Sequence, residues 1–253
     1  MLVVTANIQH GHPAPRCPDA ADRLAAALAG LPGDVVALQE VDKGQSRSGR
    51  VDQAAVAAAA LGLPWYRFAA AFAGQVHGLR RRPVPAHVPD GAGYGVALLS
   101  RWPVRSWHVR PLRPGPVRVR PGGPLGLRVH LDPPRVLLAA VVDGPCGTFS
   151  VACTHLSTDP PTARRQLAES ARALRTLPGP HLLLGDLNLG PDDAARVSGM
   201  HGPARVDTFP SACPRRQLDH VLVGPGLRAA GEPWALRLPL SDHRALVVPV
   251  VPG

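Results

Sequence analysis

Short apolar segments rich in valine and leucine recur along this chain, and they constrain its fold more than any other sequence feature. Each has the length and composition of a buried strand. They lie at 2–8, 34–41, 94–101, 136–142, 149–155, 181–188, 218–223 and 245–251. Alanine-rich stretches at 22–30, 51–61 and 161–177 have helical periodicity instead. This combination predicts an α/β fold.

The segment Gly-Pro-Cys-Gly at 144–147 limits how two of these strands can pair. It is too short to hold a crossover helix, so its two flanking strands are predicted to be antiparallel and their sheet to be mixed. Segments 74–93 and 111–134 are rich in Pro, Gly and Arg, and we predict long surface loops there. Two alternatives remain open for the arginines of these segments: they line a path for phosphate groups, or they belong to a solvated surface. These arginines are Arg80, Arg81, Arg82, Arg118 and Arg120.

Length and charge limit the class of protein. A chain of 253 residues fits one large α/β domain, so residues 1–253 are predicted to be a single domain. The content of 45% hydrophobic and 18% charged residues is that of a globular protein. A net charge of +10 favours a polyanionic partner such as nucleic acid. Lys43 is the only lysine, however, so compositional drift towards arginine is an equal alternative.

The beginning of the chain and its cysteines give expectations about location. The first apolar run, at 2–8, is too short for a membrane span and lacks the features of a signal peptide. We therefore expect a cytoplasmic monomer without integral membrane association. Four widely spaced cysteines form no CxxC pair, which argues against a zinc site or a disulfide framework; they are Cys17, Cys146, Cys153 and Cys213. We expect most of them to be buried, with a Cys146–Cys153 hairpin disulfide as the alternative.

Polar residues stand where the predicted strands begin or end. They are Asn7, Glu40, His155, Asp186, Asn188, Asp219, His220, Asp242 and His243. Carboxylates and imidazoles are costly to bury unless they are paired, hydrogen-bonded or bound to a metal. A single one is usually a cap or a turn residue, but the whole set indicates a shared site.

The residue types in this set favour one kind of chemistry. Oxygen donors from Asn7, Glu40 and Asp242 suit a hard cation such as Mg²⁺ or Mn²⁺, and no HExxH motif or cysteine cluster argues for zinc. Hydrolysis of a phosphoester needs an oriented water, a cation near the non-bridging oxygens and a group that neutralises the leaving oxygen. The set contains a candidate for each part.

Seven ordered motifs resemble those of the endonuclease/exonuclease/phosphatase superfamily. They are Thr-Ala-Asn-Ile (5–8), Leu-Gln-Glu-Val-Asp (38–42), Gly-Tyr-Gly-Val-Ala-Leu-Leu-Ser-Arg-Trp-Pro-Val (93–104), Thr-His-Leu (154–156), Gly-Asp-Leu-Asn (185–188), Leu-Asp-His-Val-Leu (218–222) and Ser-Asp-His-Arg (241–244). The resemblance implies a DNase I-like four-layer α/β/β/α sandwich of two mixed sheets, with the active site at one sheet edge. It also implies a metal-dependent phosphodiesterase, nuclease or phosphatase.

The resemblance assigns roles residue by residue. It implies that Glu40 is the principal metal ligand, with Asn7 beside it and Asp242 close to the ion or to a second metal position. Asp186 would activate the water, and Asn188 would hold the phosphate. His243 would contact the scissile phosphate, supported by Asp219, and His155 would donate to a phosphoryl oxygen.

Two assignments and one competing function remain open. Arg101 is a candidate substrate-binding residue, although arginine also commonly packs across a sandwich edge. His220 is predicted to be structural, because it follows Asp219 in a strand and should face the other way. The expected partner is a phosphoester substrate, with nucleic acid as one candidate. The competing function is a catalytically silent phosphate-binding or scaffold protein of the same fold.

Overall fold

The computed structural model describes residues 1–12, 19–76, 82–83, 91–121, 127–130 and 132–253, with backbone alone for 82–83, 118–121 and 127–130. The described residues form strands, many of which follow one another directly, and a few helices between them. In order they are β1 (Leu2–Asn7), α1 (Ala20–Leu28), β2 (Val35–Lys43), α2 (Gln53–Leu61), β3 (Trp65–Ala73), β4 (Arg82–Pro83), β5 (Gly93–Ser100), β6 (Val104–Leu112), β7 (Arg118–Pro121), β8 (Leu127–His130), β9 (Arg135–Gly144), β10 (Gly147–His155), α3 (Pro160–Leu174), β11 (His181–Asp186), α4 (Pro191–Ser198), β12 (Asp219–Val223), β13 (Leu227–Ala229), β14 (Trp234–Arg237) and β15 (Arg244–Pro252).

Most of these strands form two mixed sheets. The first has the order β13-β15-β1-β2-β5-β3-β4, with β14 also paired to β15. The second has the order β12-β11-β10-β9-β6, and β7 pairs with β8 separately. Within the first sheet β1 and β2 are parallel, and within the second β10 and β11 are parallel. The β9–β10 pair is antiparallel across the turn at 144–147, as predicted.

Alternation of side chains along each strand builds three apolar layers. Val3 faces the core between the two sheets, whereas its neighbour Val4 packs towards α1 and α2. In the second sheet Leu138 faces the same central core, and Leu137 packs towards α3. Helices therefore cover the outer face of each sheet, and the predicted four-layer α/β/β/α sandwich is confirmed.

Several elements differ from the sequence-based predictions. Helix α4 and strands β13 and β14 were not among the predicted elements, and the short strands β4, β7 and β8 lie inside segments predicted to be loops. Arg80 and Arg81, and the side chains of Arg82, Arg118 and Arg120, lie outside the described residues. Their predicted contact with phosphate therefore stays a prediction.

The cysteines also differ from expectation. Cys153 is buried as predicted, but Cys146 and Cys213 are exposed, and all three are free thiols. The alternative of a Cys146–Cys153 disulfide is therefore wrong; Cys17 lies outside the described residues. No helix in the described part of the chain is both long and apolar enough to cross a membrane.

Gly185 allows two strands of the second sheet to approach closely just before Asp186. Its φ is +152°, and a Cβ added there would lie 1.9 Å from the Thr154 carbonyl oxygen on the paired strand. Only glycine adopts this conformation without strain, and only glycine leaves room for that oxygen.

We expect Gly185→Ala to lower the free energy of unfolding by about 2 kcal/mol or more, because it combines backbone strain with a backbone clash. Urea denaturation measures this loss. Gly30→Ala is the matched control, since nothing lies within 4 Å of its added Cβ. Equal stability of the two variants would contradict the packing described here.

Candidate active site

The strand register gathers the polar strand-end residues at one edge of the sandwich. In the second sheet His155 pairs with Asp186, and Asp186 pairs with Asp219, so these three residues form one row across β10, β11 and β12. In the first sheet Asn7 ends β1, and Glu40 lies near the matching end of the parallel strand β2. The two sheets bring these ends together, as the sequence predicted.

The Asp186 carboxylate is the centre of this cluster. Its Oδ2 accepts a hydrogen bond from the Asn7 Nδ2 at 3.1 Å and lies 3.5 Å from His155 Nε2 and 3.7 Å from His243 Nε2. Its Oδ1 accepts from the backbone N–H of Asn188 at 3.1 Å. Four groups thus contact this buried carboxylate, and they can orient it or exchange protons with it.

Glu40 reaches the cluster because β2 contains a bulge. The register of β2 against β5 shifts between Gln39 and Val41, which leaves Glu40 as the extra residue, at φ +56°. In a regular strand Glu40 would face the helices together with Leu38, two residues earlier. Here Val41 packs towards the helices with Leu38 instead, so the bulge allows Glu40 to leave that side. Its Oε1 accepts a hydrogen bond from the Asn7 Nδ2 at 3.1 Å.

The Glu40 carboxylate is held in its charged form. Burial alone would raise its pKa, but interactions with His10, His155 and the Asn7 amide lower the pKa to about 2. His10 Nδ1 lies 3.7 Å from Glu40 Oε2. The side chain of Glu40 keeps 24% of its surface exposed, so this anion is accessible from the solvent.

His243 and Asp219 form a hydrogen-bonded pair. His243 Nδ1 lies 2.8 Å from Asp219 Oδ2, and Asp219 is fully buried. Burial alone would lower the pKa of His243, but this hydrogen bond and the charges of Asp219 and Asp186 raise the pKa to about 9. Asp219 therefore fixes the ring orientation and favours the imidazolium, with Nε2 directed towards Asp186.

The pKa values of Asp186 and His155 shift in opposite directions. Burial, together with the negative charge of Asp219, raises the pKa of Asp186 well above that of an ordinary aspartate. Burial and the charge of Arg135 hold the pKa of His155 well below its usual value. At neutral pH His155 is therefore a neutral hydrogen-bond donor, whereas His243 is a cation.

Asn188 and Asp242 lie at the periphery of the cluster. Asn188 has φ +51°, and its side-chain amide donates to the Leu156 carbonyl at 3.0 Å, which ties the β11 end to the β10 end. Asp242 is exposed, and its backbone N–H donates to the Gln9 side chain at 3.1 Å. Ser241 accepts a hydrogen bond from the His243 N–H, so it caps this turn.

The prediction that Arg101 binds substrate requires correction. Arg101 follows β5, which runs antiparallel to β2, and its Nε donates to Asp34 Oδ1 at 2.7 Å. Asp34 precedes β2 by one residue, so this pair lies about six strand residues, or roughly 20 Å, from Glu40. Arg101 is a surface ion-pair residue at the opposite edge of the sheet.

Sequence reasoning overlooked several neighbours of the site. His10 follows β1 in an irregular turn with φ +48°, and Arg135 is a buried residue that begins β9. The Phe209 ring lies 4.8 Å from the His243 ring. His220, in contrast, behaves as predicted: it is buried away from the cluster, with Nε2 2.8 Å from the Leu189 carbonyl oxygen.

The chemistry of the donors shows which ion the cluster fits. The carboxylates of Glu40 and Asp186 converge on the same Asn7 amide nitrogen, so oxygen atoms of two acids lie close together. An accessible, ionised carboxylate among oxygen donors fits a hard divalent cation. Asp186, Asp219 and His243 also have ligand atoms within 4.8 Å of one another, but the Asp219–His243 hydrogen bond occupies one face of that group.

We expect His243 in the metal-free protein to titrate near pH 9 in an NMR pH titration, well above its usual 6.5. The stabilisation from its pairing with Asp219 is then present below pH 6.5 and is lost as the pH rises through about 9. Asp219→Asn should lower the pKa of His243, because burial is then opposed only by the remaining charges of Asp186 and Asp242. An unchanged titration in that variant would contradict the pairing.

Comparison with solved structures shows that other proteins share the fold of this chain. The chain has the fold of the endonuclease/exonuclease/phosphatase from Beutenbergia cavernae DSM 12333, with a TM-score of 0.69 and 24% identity over 100% of this chain and 71% of that chain. It also has the fold of sphingomyelinase C from Streptomyces griseocarneus, with a TM-score of 0.63 and 18% identity over 98% of each chain. The mannosyl-6-phosphatase Bt3783 of Bacteroides thetaiotaomicron VPI-5482 gives a TM-score of 0.62 and 15% identity over 99% of each chain.

The sequence itself carries the family assignment. Among curated proteins, no sequence relative is detected. Residues 4–243 match the Endonuclease/Exonuclease/phosphatase family as a whole. That match includes every residue of the cluster, from Asn7 to His243, and the chain belongs to this family.

Proposed function

We propose that the protein hydrolyses phosphoester bonds with a water molecule activated at Asp186, assisted by Mg²⁺ or Mn²⁺. Endonucleases, exonucleases and phosphatases all cleave phosphoesters, so family membership supports phosphoesterase activity in general. The observation that carries the finer proposal is the position of the Asp186 carboxylate between Asn7, His155 and His243.

Glu40 is the residue best suited to hold the cation. Its carboxylate is ionised and accessible, and Asn7 lies beside it. We propose Asn7 and the exposed Asp242 as further ligands or as groups close to the ion. When bound, a divalent cation neutralises charge on the phosphoryl oxygens.

Asp186 is suited to take a proton from water. Because its pKa is raised, the ionised Asp186 carboxylate is a stronger base than an ordinary aspartate and accepts a proton more readily. The Asn188 N–H and the Asn7 amide hold one oxygen each, so the carboxylate keeps a fixed direction. The attacking water is therefore oriented by a group that does not need to reorganise during the reaction.

The two histidines divide the remaining work according to their charge. His243, an imidazolium supported by Asp219, attracts the phosphate and directs a donor towards it. His155, which stays neutral, donates a hydrogen bond from Nε2 to a phosphoryl oxygen without changing the net charge. We propose that Asn188 helps to position the phosphate from the edge of the cluster.

Glu40→Gln should abolish high-affinity Mn²⁺ binding, because it removes the accessible charge of the oxygen-donor set. Electron paramagnetic resonance of free Mn²⁺ measures binding directly, without any substrate. Asp52→Asn is the matched control, since Asp52 caps α2 by accepting from Ala55 N at 3.1 Å and lies outside the cluster. If Glu40→Gln binds Mn²⁺ as the wild type does, Glu40 is not the ligand.

Asp186→Asn should lower kcat by about 10²–10⁴-fold, the usual contribution of a general base, and should leave the fold intact. Initial rates on plasmid DNA, abasic-site DNA, RNA, bis-p-nitrophenyl phosphate, inositol phosphates and sphingomyelin, with Mg²⁺ or Mn²⁺, identify the substrate class. Asp143→Asn, at a half-exposed residue paired with Arg105, is the control. Equal rates in wild type and Asp186→Asn would sink the proposed role, and an inactive wild type would favour the silent phosphate-binding alternative.

A further inference from the structure

A cleft next to the catalytic cluster is lined with arginine. It has a volume of about 410 Å³, and its lining includes Asn188, Arg205, Asp207, Arg215, Arg216 and Gln217. Asn188 donates its backbone N–H to Asp186, so the cleft and the cluster share a wall. A group bound in this cleft would therefore lie directly beside a phosphate bound at Asp186.

The segment that carries Arg215 and Arg216 is held by backbone hydrogen bonds. Phe209 and Arg216 exchange both of their backbone hydrogen bonds, at 2.9 and 3.0 Å, which closes the loop 209–216. Ser211 N donates to the Asp242 carbonyl at 2.6 Å, and Arg244 N donates to the Thr208 carbonyl at 2.8 Å. The loop is thus attached on two sides to the chain around His243.

The side chain of Arg216 is oriented by an aromatic ring that also contacts the site. Its guanidinium lies over the Phe209 ring, 5.8 Å from the ring centroid, and that ring packs against His243 at 4.8 Å. Stacking of this kind reduces the number of conformations that a long side chain explores. Phe209 is consequently a shared contact of the Arg216 guanidinium and the His243 ring.

The charges of the cleft leave a positive excess. Arg205 Nη2 is paired with Asp192 at 2.9 Å, and Asp207 contributes one carboxylate to the lining. Arg215 and Arg216 are exposed and form no ion pair with any other residue that the structure describes. A concave surface with unbalanced guanidinium groups attracts phosphate, which arginine can bind through two parallel hydrogen bonds.

We propose that Arg215 and Arg216 bind a second phosphate of the substrate, adjacent to the phosphate that is cleaved. The preferred substrate would then carry two phosphates on neighbouring positions, a property shared by a nucleic acid strand and a small bisphosphorylated molecule. This inference rests on the proposed function, because it places the scissile phosphate at Asp186. It assigns the arginines to substrate selection rather than to the chemical step.

Two substrate pairs test the inference and separate the two sources. The first compares dithymidine monophosphate with its 5′- and 3′-phosphorylated forms, and the second compares inositol 4-phosphate with inositol 4,5-bisphosphate, whose two phosphates are on adjacent carbons. In at least one pair the wild type should show a kcat/KM about tenfold or more higher for the substrate with the added phosphate, as expected for charge-assisted hydrogen bonds. A preference only within the dinucleotides identifies a strand, and one only within the inositols identifies a small molecule.

The double variant Arg215→Gln/Arg216→Gln should bring that ratio close to one. Arg228→Gln is the matched control, since Arg228 is exposed on β13 and pairs with Val251 at the far end of β15. It should keep the wild-type ratio. The proposal is overturned if the wild type shows no preference in either pair, or if the double variant loses activity equally on both members and keeps the ratio.

A binding measurement separates this inference from the proposed function. Isothermal titration calorimetry with inorganic pyrophosphate, in the presence of a chelator, reports on the cleft without hydrolysis. We expect wild type and Arg228→Gln to bind pyrophosphate alike and the double variant to bind about tenfold or more weakly. If the wild type hydrolyses nothing yet this difference remains, the proposed function fails and the anion site stands; equal binding by all three proteins overturns the anion site.

Discussion

The Asn7 amide joins two acids that come from different sheets, and the candidate site depends on this contact. Its nitrogen donates to Glu40 of the first sheet and to Asp186 of the second, at 3.1 Å in each case. Face-to-face packing of the two sheets sets the distance between the acids. A shift of one sheet over the other would separate the accessible anion at Glu40 from the buried carboxylate at Asp186, so the central apolar core determines the geometry of the site.

Opposite pKa shifts give two neighbouring imidazoles different properties. His243 faces Asp219 and is favoured as a cation, whereas His155 is buried near Arg135 and is favoured as a neutral ring. Both Nε2 atoms lie within 3.7 Å of the same Asp186 oxygen. Two histidines thus provide one charged and one neutral donor, because different charged groups lie next to each ring.

Much of the fold and of the cluster could be predicted from the sequence, because buried strands and their polar ends leave local patterns. The sequence marked His155, Asp186 and Asp219 by their positions at strand ends, and the strand register of the structure places them in one row. The assignment of Arg101 was wrong, because sequence proximity to a strand does not reveal that β5 runs away from the site. His10 and Phe209 lie in irregular segments, where no periodicity marks a side chain that only tertiary packing brings to the cluster.

The bond network of the loop 209–216 has a consequence for how this protein could change its substrate. Phe209 contacts both the Arg216 guanidinium and the His243 ring, and Ser211 is bonded to the backbone of Asp242. The proposed phosphate recognition by Arg216 and the proposed chemistry at His243 therefore depend on one piece of backbone. Replacing this loop with one of another length would alter selectivity and disturb the imidazole together, so divergence towards a new substrate would proceed more easily by exchange of its exposed side chains than by insertion or deletion.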